Sequence, residues 1–172
     1  GSVFFYTMLG VSFSAIYLSL AKENMFLLNV GIFVGYQNWA GFKSVRSKSL
    51  KPNLIDIIAL LLAIANAVYM VSTSNLILLV FGGISWLLIF IDLKIYYTLY
   101  RNTPLKKLTW LSRHIGMMMG SYIGAFTAFL VVNIHFQPGW VIWLAPTFVL
   151  VPLMRYWTYQ YITKPLKIQN HV

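Results

Sequence analysis

The chain has 172 residues, of which 59% are hydrophobic and only 9% are charged, too few charges for a soluble domain, which carries roughly 25%. The absence of cysteine excludes disulfides, thiolate metal sites and thiol catalysis. A formal charge of +10 would suggest nucleic acid in a soluble protein, but the basic residues lie between apolar runs and therefore indicate loops that face anionic lipid head groups. The sequence predicts a protein whose main solvent is lipid and which has no nucleic-acid partner.

Six apolar runs are each long enough to cross a bilayer as an α-helix, at about 1.5 Å of rise per residue against roughly 30 Å of hydrocarbon. Short polar or basic loops join them, and Pro138-Gly139 marks the last turn. We therefore predict an all-α fold, a polytopic transmembrane helical bundle with six membrane-spanning helices that forms a single domain over residues 1–172. The runs cover residues 3–20, 25–42, 54–70, 76 to about 97, 113–133 and 140 to about 159.

The basic residues are distributed unevenly between alternate loops. The loops after the second and fourth runs, together with the C-terminal tail, hold most of them, whereas the other loops hold only Lys22. Because such an excess marks the cytoplasmic side of a bacterial inner membrane, both termini are predicted to be cytoplasmic. The residues on the basic side are Lys43, Arg46, Lys48, Lys51, Arg101, Lys106, Lys107, Arg113, Lys164 and Lys167.

The fifth run carries three glycines, Gly116, Gly120 and Gly124, each four residues from the next and so on one face of a helix. In lipid such a face allows close approach of a second helix, because no side chain separates the two backbones. We expect this helix to be the hub on which the others pack. The same face would serve a neighbouring helix of the chain or a membrane-protein partner, such as a second copy in a homodimer.

Ionisable and amide side chains at membrane depth are candidates for a functional site, because burying them there is energetically costly. In the predicted topology, six of them fall at the cytoplasmic end. Pro52 suits the first position of its helix, and Asp56 falls in the first turn, where a negative charge favours the helix dipole. A cluster of these groups could bind an anionic head group or move a proton. Alternatively, they could extend to the interface and pair with one another. The six are Gln37, Asn38, Asp56, Asp92, His114 and Arg155.

Histidines at both ends of the fifth run raise the question of haem. His114 and His135 lie roughly 31 Å apart at about 1.5 Å per residue, so they cannot share one metal within the chain. Each would need another ligand, such as Met154 for the inner site, and the remaining histidine, His171, lies in the tail. We predict no cofactor, and haem remains an alternative.

The stretch WLSRHIGMMMGSYIGAFTAFLVVN, residues 110–133, joins an Arg-His pair to small residues, Ser-Tyr and Ala-Phe, and a proline-containing run ends in aromatic residues at 152–159. This pattern resembles a group of uncharacterised bacterial multi-spanning membrane proteins. The resemblance implies an α-helical inner-membrane protein with a candidate inner-leaflet site at His114, and it implies no established activity. Such proteins often carry a further helix before the equivalent of Val3.

No nucleophile elbow, phosphate loop or HExxH motif is present, so enzymatic activity is not favoured. We expect an accessory subunit or a binder of lipid or another small ligand, with Asp92, His114 and Arg155 as the main site. One alternative is a membrane redox protein that binds haem or quinone through His114. Another is a small proton-linked transporter using Asp92 and His114, which would need a polar path where Asn29, Asn66 and Ser85 converge.

Overall fold

The structure is a computed structural model that describes residues 1–134 and 137–163. These residues form six α-helices and no strand, which confirms the predicted all-α helical bundle. The helices are α1 (Ser2–Ala21), α2 (Met25–Arg46), α3 (Leu54–Ser72), α4 (Leu76–Tyr100), α5 (Thr109–Asn133) and α6 (Trp140–Thr158), and a π-helical turn, Tyr159–Thr163, follows α6.

Five of these helices, all except α2, are long and apolar enough to cross a membrane, as expected of a membrane protein. The prediction of six apolar spans differs from the structure at α2. That helix has 22 residues, enough for about 33 Å at 1.5 Å per residue, but amide, hydroxyl and basic side chains interrupt its apolar sequence. Most of its amide and hydroxyl groups are buried against other helices, so α2 presents few of them to the surroundings.

The centre of the bundle is α2, and the expectation that α5 is the hub is wrong. Helix α2 packs on α1, α3, α4 and α5, whereas α5 packs mainly on α2 and α6. The reason is the distribution of small and polar residues, which α2 carries on several sides. Gly31 of α2 faces Ala15 of α1, and Gly41 faces Met117 and Met118 of α5.

The helices alternate in direction, so the loops fall into two groups at opposite ends of the bundle. Near one end, Lys43 of α2 pairs with Asp56 of α3, and Lys48 lies 4.9 Å above the ring of Trp110 in α5. This contact places the α2–α3 and α4–α5 loops side by side. We call this end the basic end; at the opposite end the ring of Phe26 lies 4.7 Å from that of Trp143 in α6.

Two details at the helix N-termini differ from the predictions, namely the position of Pro52 relative to α3 and the first residue of α5. Helix α3 begins at Leu54 after a capping box, in which Asn53 Oδ1 accepts from the Asp56 backbone N–H and Asp56 Oδ2 accepts from the Asn53 backbone N–H. Pro52 therefore precedes the cap and is not the first helical residue. Helix α5 begins at Thr109, so Arg113 lies one turn inside the helix instead of in the preceding loop.

The outward faces of α3 and α4 consist of large apolar side chains, as expected for helices that are solvated by lipid. Contiguous apolar surface of this extent is rare on soluble monomers. Examples that are at least half exposed are Leu54, Ile58, Leu61, Leu62, Leu87 and Phe90.

Candidate functional site

The more deeply buried of the two ion pairs among the described residues lies between α4 and α5. Asp92 is fully buried and Arg113 is 8% exposed. The guanidinium donates from Nε to Asp92 Oδ1 at 2.6 Å and from Nη2 to Asp92 Oδ2 at 2.7 Å. This two-point contact is the geometry in which an arginine binds a carboxylate most strongly.

Helix α2 supplies the remaining partners of this pair. The Tyr36 hydroxyl donates to Asp92 Oδ2, and Arg113 Nη1 donates to the Ala40 carbonyl at 2.8 Å and to Ser44 Oγ at 2.7 Å. Three donors therefore converge on the two carboxylate oxygens. We call Tyr36, Ala40, Ser44, Asp92 and Arg113 the Asp92–Arg113 network.

The network ties α4 and α5 to α2 and leaves Asp92 closed to a ligand. Both oxygens of the carboxylate accept hydrogen bonds from within the protein, and the side chain has no exposed surface. Breaking such a pair leaves an uncompensated charge in a medium of low dielectric constant. The arrangement can therefore hold three helices in register, and it offers no open coordination position.

The second acidic candidate, Asp56, lies in a separate group between α2 and α3. Its Oδ2 accepts from Lys43 Nζ at 2.8 Å and its Oδ1 accepts from Trp39 Nε1 at 3.0 Å. Together with the capping box of α3, these contacts occupy both carboxylate oxygens. Asp56 therefore joins the start of α3 to the end of α2.

The two amide candidates point to different sides of α2. Asn38 Nδ2 donates to the Phe5 carbonyl of α1 at 2.9 Å, whereas the amide of Gln37 lies against Gly120 of α5. Gln37 Oε1 and Asn38 Oδ1 have no hydrogen-bond partner among the described residues. The side chains of Gln37 and Asn38 thus face different helices, and neither forms a hydrogen bond with Asp92.

The remaining two candidates also lie apart from Asp92. His114 Nδ1 donates to the Gly41 carbonyl of α2 at 2.8 Å. Arg155 is exposed on α6, and its side chain makes no hydrogen bond or ion pair to another described residue. Among the described residues, no side-chain hydrogen bond or ion pair joins Asp92 to His114 or Arg155, and Arg113 takes the position next to Asp92.

Sequence reasoning missed Arg113 and Tyr36. Arg113 was counted among the loop cations, although the α5 helix begins four residues before it. Asp92, the single acid inside the fourth apolar run, indicates that such a partner exists, because a buried carboxylate requires a cation at the same depth. Arg113 is the basic residue nearest to the start of the fifth run at that end.

The glycine face of α5 is only partly in contact with another helix. Gly120 and Gly124 face α2, where a Cβ on Gly120 would overlap the Gln37 amide and one on Gly124 would lie 2.7 Å from Val34 Cγ2. A Cβ on Gly116 would have none of the described residues within 4 Å. Of the three glycines on this face of α5, only Gly120 and Gly124 therefore lie against α2.

The structure places the haem candidates in different surroundings. His135 and His171 lie outside the described residues. Met154 lines an apolar groove between α5 and α6 at the basic end, which we call the α5–α6 groove. The groove is formed by Ile115, Met119, Met154, Trp157, Thr158 and Ile162. Within residues 1–134 and 137–163, no three His, Asp or Glu side chains lie close enough to share a metal.

Part of the polar path that a transporter would need is present. Asn66 Nδ2 of α3 donates to the Asn29 carbonyl of α2 at 3.1 Å, and Ser85 of α4 is buried. On α4, however, the fully buried Ile89 lies between Ser85 and Asp92. Its apolar side chain belongs to the same hydrophobic cluster as Tyr36 and Ala67, so apolar packing separates the two polar layers.

The surface of the basic end carries cations whose charge no acid of that end neutralises. The chain has three acidic residues; Asp56 and Asp92 are paired internally, and Glu23 lies at the opposite end. Arg46 and Arg101 lie over the rings of Phe42 and Tyr97 and form no ion pair with an acid of the described residues. The exposed basic residues of the two loops are Arg46, Lys48, Lys51, Arg101, Lys106 and Lys107.

Comparison of the chain with protein-family models, with curated proteins and with solved structures gave no match.

Proposed function

We propose that the chain is a non-enzymatic, multi-pass protein of the bacterial inner membrane that binds anionic phospholipid head groups at its basic end. One observation carries the proposal. The two acids of the basic end are occupied by Lys43 and Arg113, so the exposed lysines and arginines of the two loops have no acidic neighbour to neutralise them. The ligand site is this outer surface, and the Asp92–Arg113 network supports it from inside the bundle.

The attraction between these basic residues and anionic lipid head groups can be estimated from membrane electrostatics. Each Lys or Arg next to an anionic leaflet contributes about 1 kcal/mol of attraction, which decays within a Debye length. Lys106 and Lys107 lie in the loop directly before α5, and Lys48 approaches Trp110 from the neighbouring loop. A head group at this position would meet several cations at once, so we expect a preference for anionic over zwitterionic lipids.

The placement in the membrane follows from the same charge asymmetry. The basic end faces the cytoplasm under the positive-inside rule, and the resemblance of residues 110–133 to bacterial inner-membrane proteins supports that location. Since the chain lacks cysteine, single cysteines can report the topology without a background. Ser49→Cys lies at the basic end and Ser74→Cys at the opposite end, and both positions are exposed.

In intact spheroplasts, a membrane-impermeant maleimide should label Ser74→Cys at once and Ser49→Cys only after the membrane is permeabilised. The reverse pattern would refute the orientation. Equal labelling of both positions in intact spheroplasts would refute the single orientation on which the proposal depends.

Lipid preference is measured on purified protein in nanodiscs that contain equal amounts of phosphatidylglycerol and phosphatidylcholine. Native mass spectrometry then counts the lipids retained by the protein. We expect the protein to prefer phosphatidylglycerol. Loss of a single basic residue, at about 1 kcal/mol, would lower that preference about fivefold, so the double variant Lys106→Gln/Lys107→Gln should lower it at least about fivefold. Lys22→Gln removes a charge from the opposite end and should leave the preference unchanged. Equal retention of the two lipids by the unmodified protein would contradict the proposed function.

A further inference from the structure

Backbone strain is concentrated in the two loops of the basic end. Among the described residues, four that are not glycine have a positive φ, and three of them lie in these loops: Leu50 at 56°, Asn102 at 54° and Leu108 at 65°. In this left-handed region a Cβ atom crowds the following carbonyl oxygen, so glycine or asparagine usually occupies it. A leucine keeps such a conformation only where its surroundings hold it there.

Leu50 is held by burial. It is 3% exposed, and among the other residues of the α2–α3 loop, 47–53, only Ser47 is even partly buried. The Leu50 side chain is therefore the part of this loop that enters the bundle. Its backbone N–H donates to the Ser47 carbonyl at 2.9 Å and closes a turn that leaves Lys48 and Ser49 exposed.

The closed turn carries Lys48 to the neighbouring loop. Lys48 Nζ lies 4.9 Å from the centre of the Trp110 ring, in the first turn of α5. The α4–α5 loop is tied to the same turn, because the Lys106 carbonyl accepts from the Thr109 backbone N–H at 3.1 Å and from Thr109 Oγ1 at 2.7 Å. Basic residues from two loops that are far apart in the sequence thus meet at the start of α5.

A flexible basic loop and a fixed one attract lipid in different ways. The attraction of a flexible loop to an anionic leaflet depends chiefly on how many charges it carries. A fixed loop holds its cations in place, so a phosphate can contact several of them without the entropic cost of ordering the loop. The burial of Leu50 and the hydrogen-bonded turn before it put the α2–α3 loop in the second class.

We propose that Leu50 is a positioning residue for head-group binding: it fixes the α2–α3 loop so that Lys48 and the lysines of the α4–α5 loop contact one lipid phosphate. This inference rests on the proposed function and adds to it a pre-formed phosphate site at the start of α5, in place of a diffuse attraction to the leaflet. A change at Leu50 alters no charge and should nevertheless lower the preference for anionic lipid, which a count of charges does not predict.

The first test measures retention of phosphatidylglycerol against phosphatidylcholine by the full chain in the same nanodiscs. Leu50→Asn accepts the left-handed backbone but loses the apolar side chain that anchors the loop. We expect it to lower the preference about fivefold, as Lys48→Gln does, because each removes the contribution of one cation. Leu50→Met keeps an apolar anchor and should retain the preference. Leu54→Asn, the same change at a leucine of this end that is 71% exposed, should also retain it.

A double variant separates positioning from a general loss of stability. If Leu50 acts through Lys48, the variant Leu50→Asn/Lys48→Gln should be no worse than either single variant. Two fivefold effects that multiply to about 25-fold would instead show that Leu50 does not act through Lys48. Unfolding in dodecyl sulfate, recorded on the same proteins, reports any loss of stability separately.

The order of the loop can be measured without a variant of Leu50. Because the chain lacks cysteine, a nitroxide attached at Ser49→Cys reports on this loop alone. With Leu50 in place, the label should give the broad spectrum of an ordered backbone. Leu50→Asn should narrow that spectrum and leave the spectrum of a label at Ser74→Cys, at the opposite end, unchanged.

Three outcomes overturn the inference and leave the proposed function standing, provided that Lys106→Gln/Lys107→Gln still lowers the lipid preference. They are an undiminished preference in Leu50→Asn, multiplying effects in the double variant, and a freely mobile label at Ser49→Cys in the protein that retains Leu50. The last of these applies even where Leu50→Asn misfolds. Equal retention of the two lipids by the unmodified protein removes the proposed function, and the inference with it.

Discussion

Replacing Asp92 with asparagine should destabilise the bundle more than any other single carboxylate-to-amide change. In the unmodified protein, Arg113 Nε, Arg113 Nη2 and the Tyr36 hydroxyl all donate to the Asp92 carboxylate. Asparagine retains one acceptor oxygen and replaces the other with an NH₂ group. With the amide oxygen at the Oδ2 position, Arg113 Nη2 and the Tyr36 hydroxyl keep an acceptor. Arg113 Nε then faces the NH₂ group and loses its hydrogen bond, and the buried guanidinium loses its counter-charge.

The size of the effect follows from that geometry. A hydrogen bond to a charged group contributes about 1.5–3 kcal/mol, and loss of one partner from a buried ion pair costs about 3–5 kcal/mol in soluble proteins. Polar contacts between helices in membranes are weaker, since the unfolded chain in lipid also finds partners. We therefore expect the Asp92→Asn variant to lose about 3 kcal/mol of unfolding free energy, the lower end of the range.

The assay is reversible unfolding in mixed micelles, titrated with dodecyl sulfate and followed by tryptophan fluorescence. Glu23→Gln makes the same chemical change at an exposed site on the opposite end and should leave the transition unchanged. The double variant Asp92→Leu/Arg113→Met leaves no unpaired charge and should recover at least half of the loss. A change below about 1 kcal/mol for Asp92→Asn would show that the pair does not hold the helices together.

Further predictions use the same unfolding titration. Gly124→Ala should destabilise the bundle by about 1–3 kcal/mol, because the added methyl group would lie 2.7 Å from Val34 Cγ2. Gly116→Ala should be neutral or stabilising by up to about 1 kcal/mol, because space is open there and alanine favours a helix; equal effects at the two glycines would contradict the packing. Tyr36→Phe removes one donor to Asp92 and should cost about 1–2 kcal/mol; an unchanged transition would show that this hydrogen bond adds nothing.

The positions of the helices could be predicted from sequence because they depend on one physical quantity, the length of an apolar run. Five predicted starts lie within one residue of the observed ones, and those of α2, α3, α4 and α6 coincide with them. The exception is α5, which begins at Thr109, ahead of the first apolar residues of its run. Polar residues such as Thr109 and Ser112 can extend a helix outside the hydrocarbon, where no hydropathy pattern marks the boundary.

The composition of the buried network could not be predicted, because it depends on how the helices are rotated about their axes. Arg113 and His114 are adjacent, and on a helix they point about 100° apart. The sequence does not determine which of them faces Asp92; the packing of α5 on α2 does, with Gly120 and Gly124 allowing the close contact. A count of charges by loop likewise could not distinguish the buried Arg113 from the exposed Lys107.

The prediction of α5 as the hub failed for a reason that applies to membrane bundles in general. Between helices in lipid, apolar surfaces give little preference for one neighbour over another, because lipid tails are as apolar as leucine. The helix that determines the arrangement is therefore the one with directional contacts to several others, and here that helix is α2. Its Asn38 binds α1, its Trp39 and Lys43 bind α3, and its Tyr36 binds α4. The same residues that make α2 the least apolar helix are thus those that make it central, and a low hydropathy within an otherwise apolar chain is better interpreted as a sign of burial among helices than as a weak span.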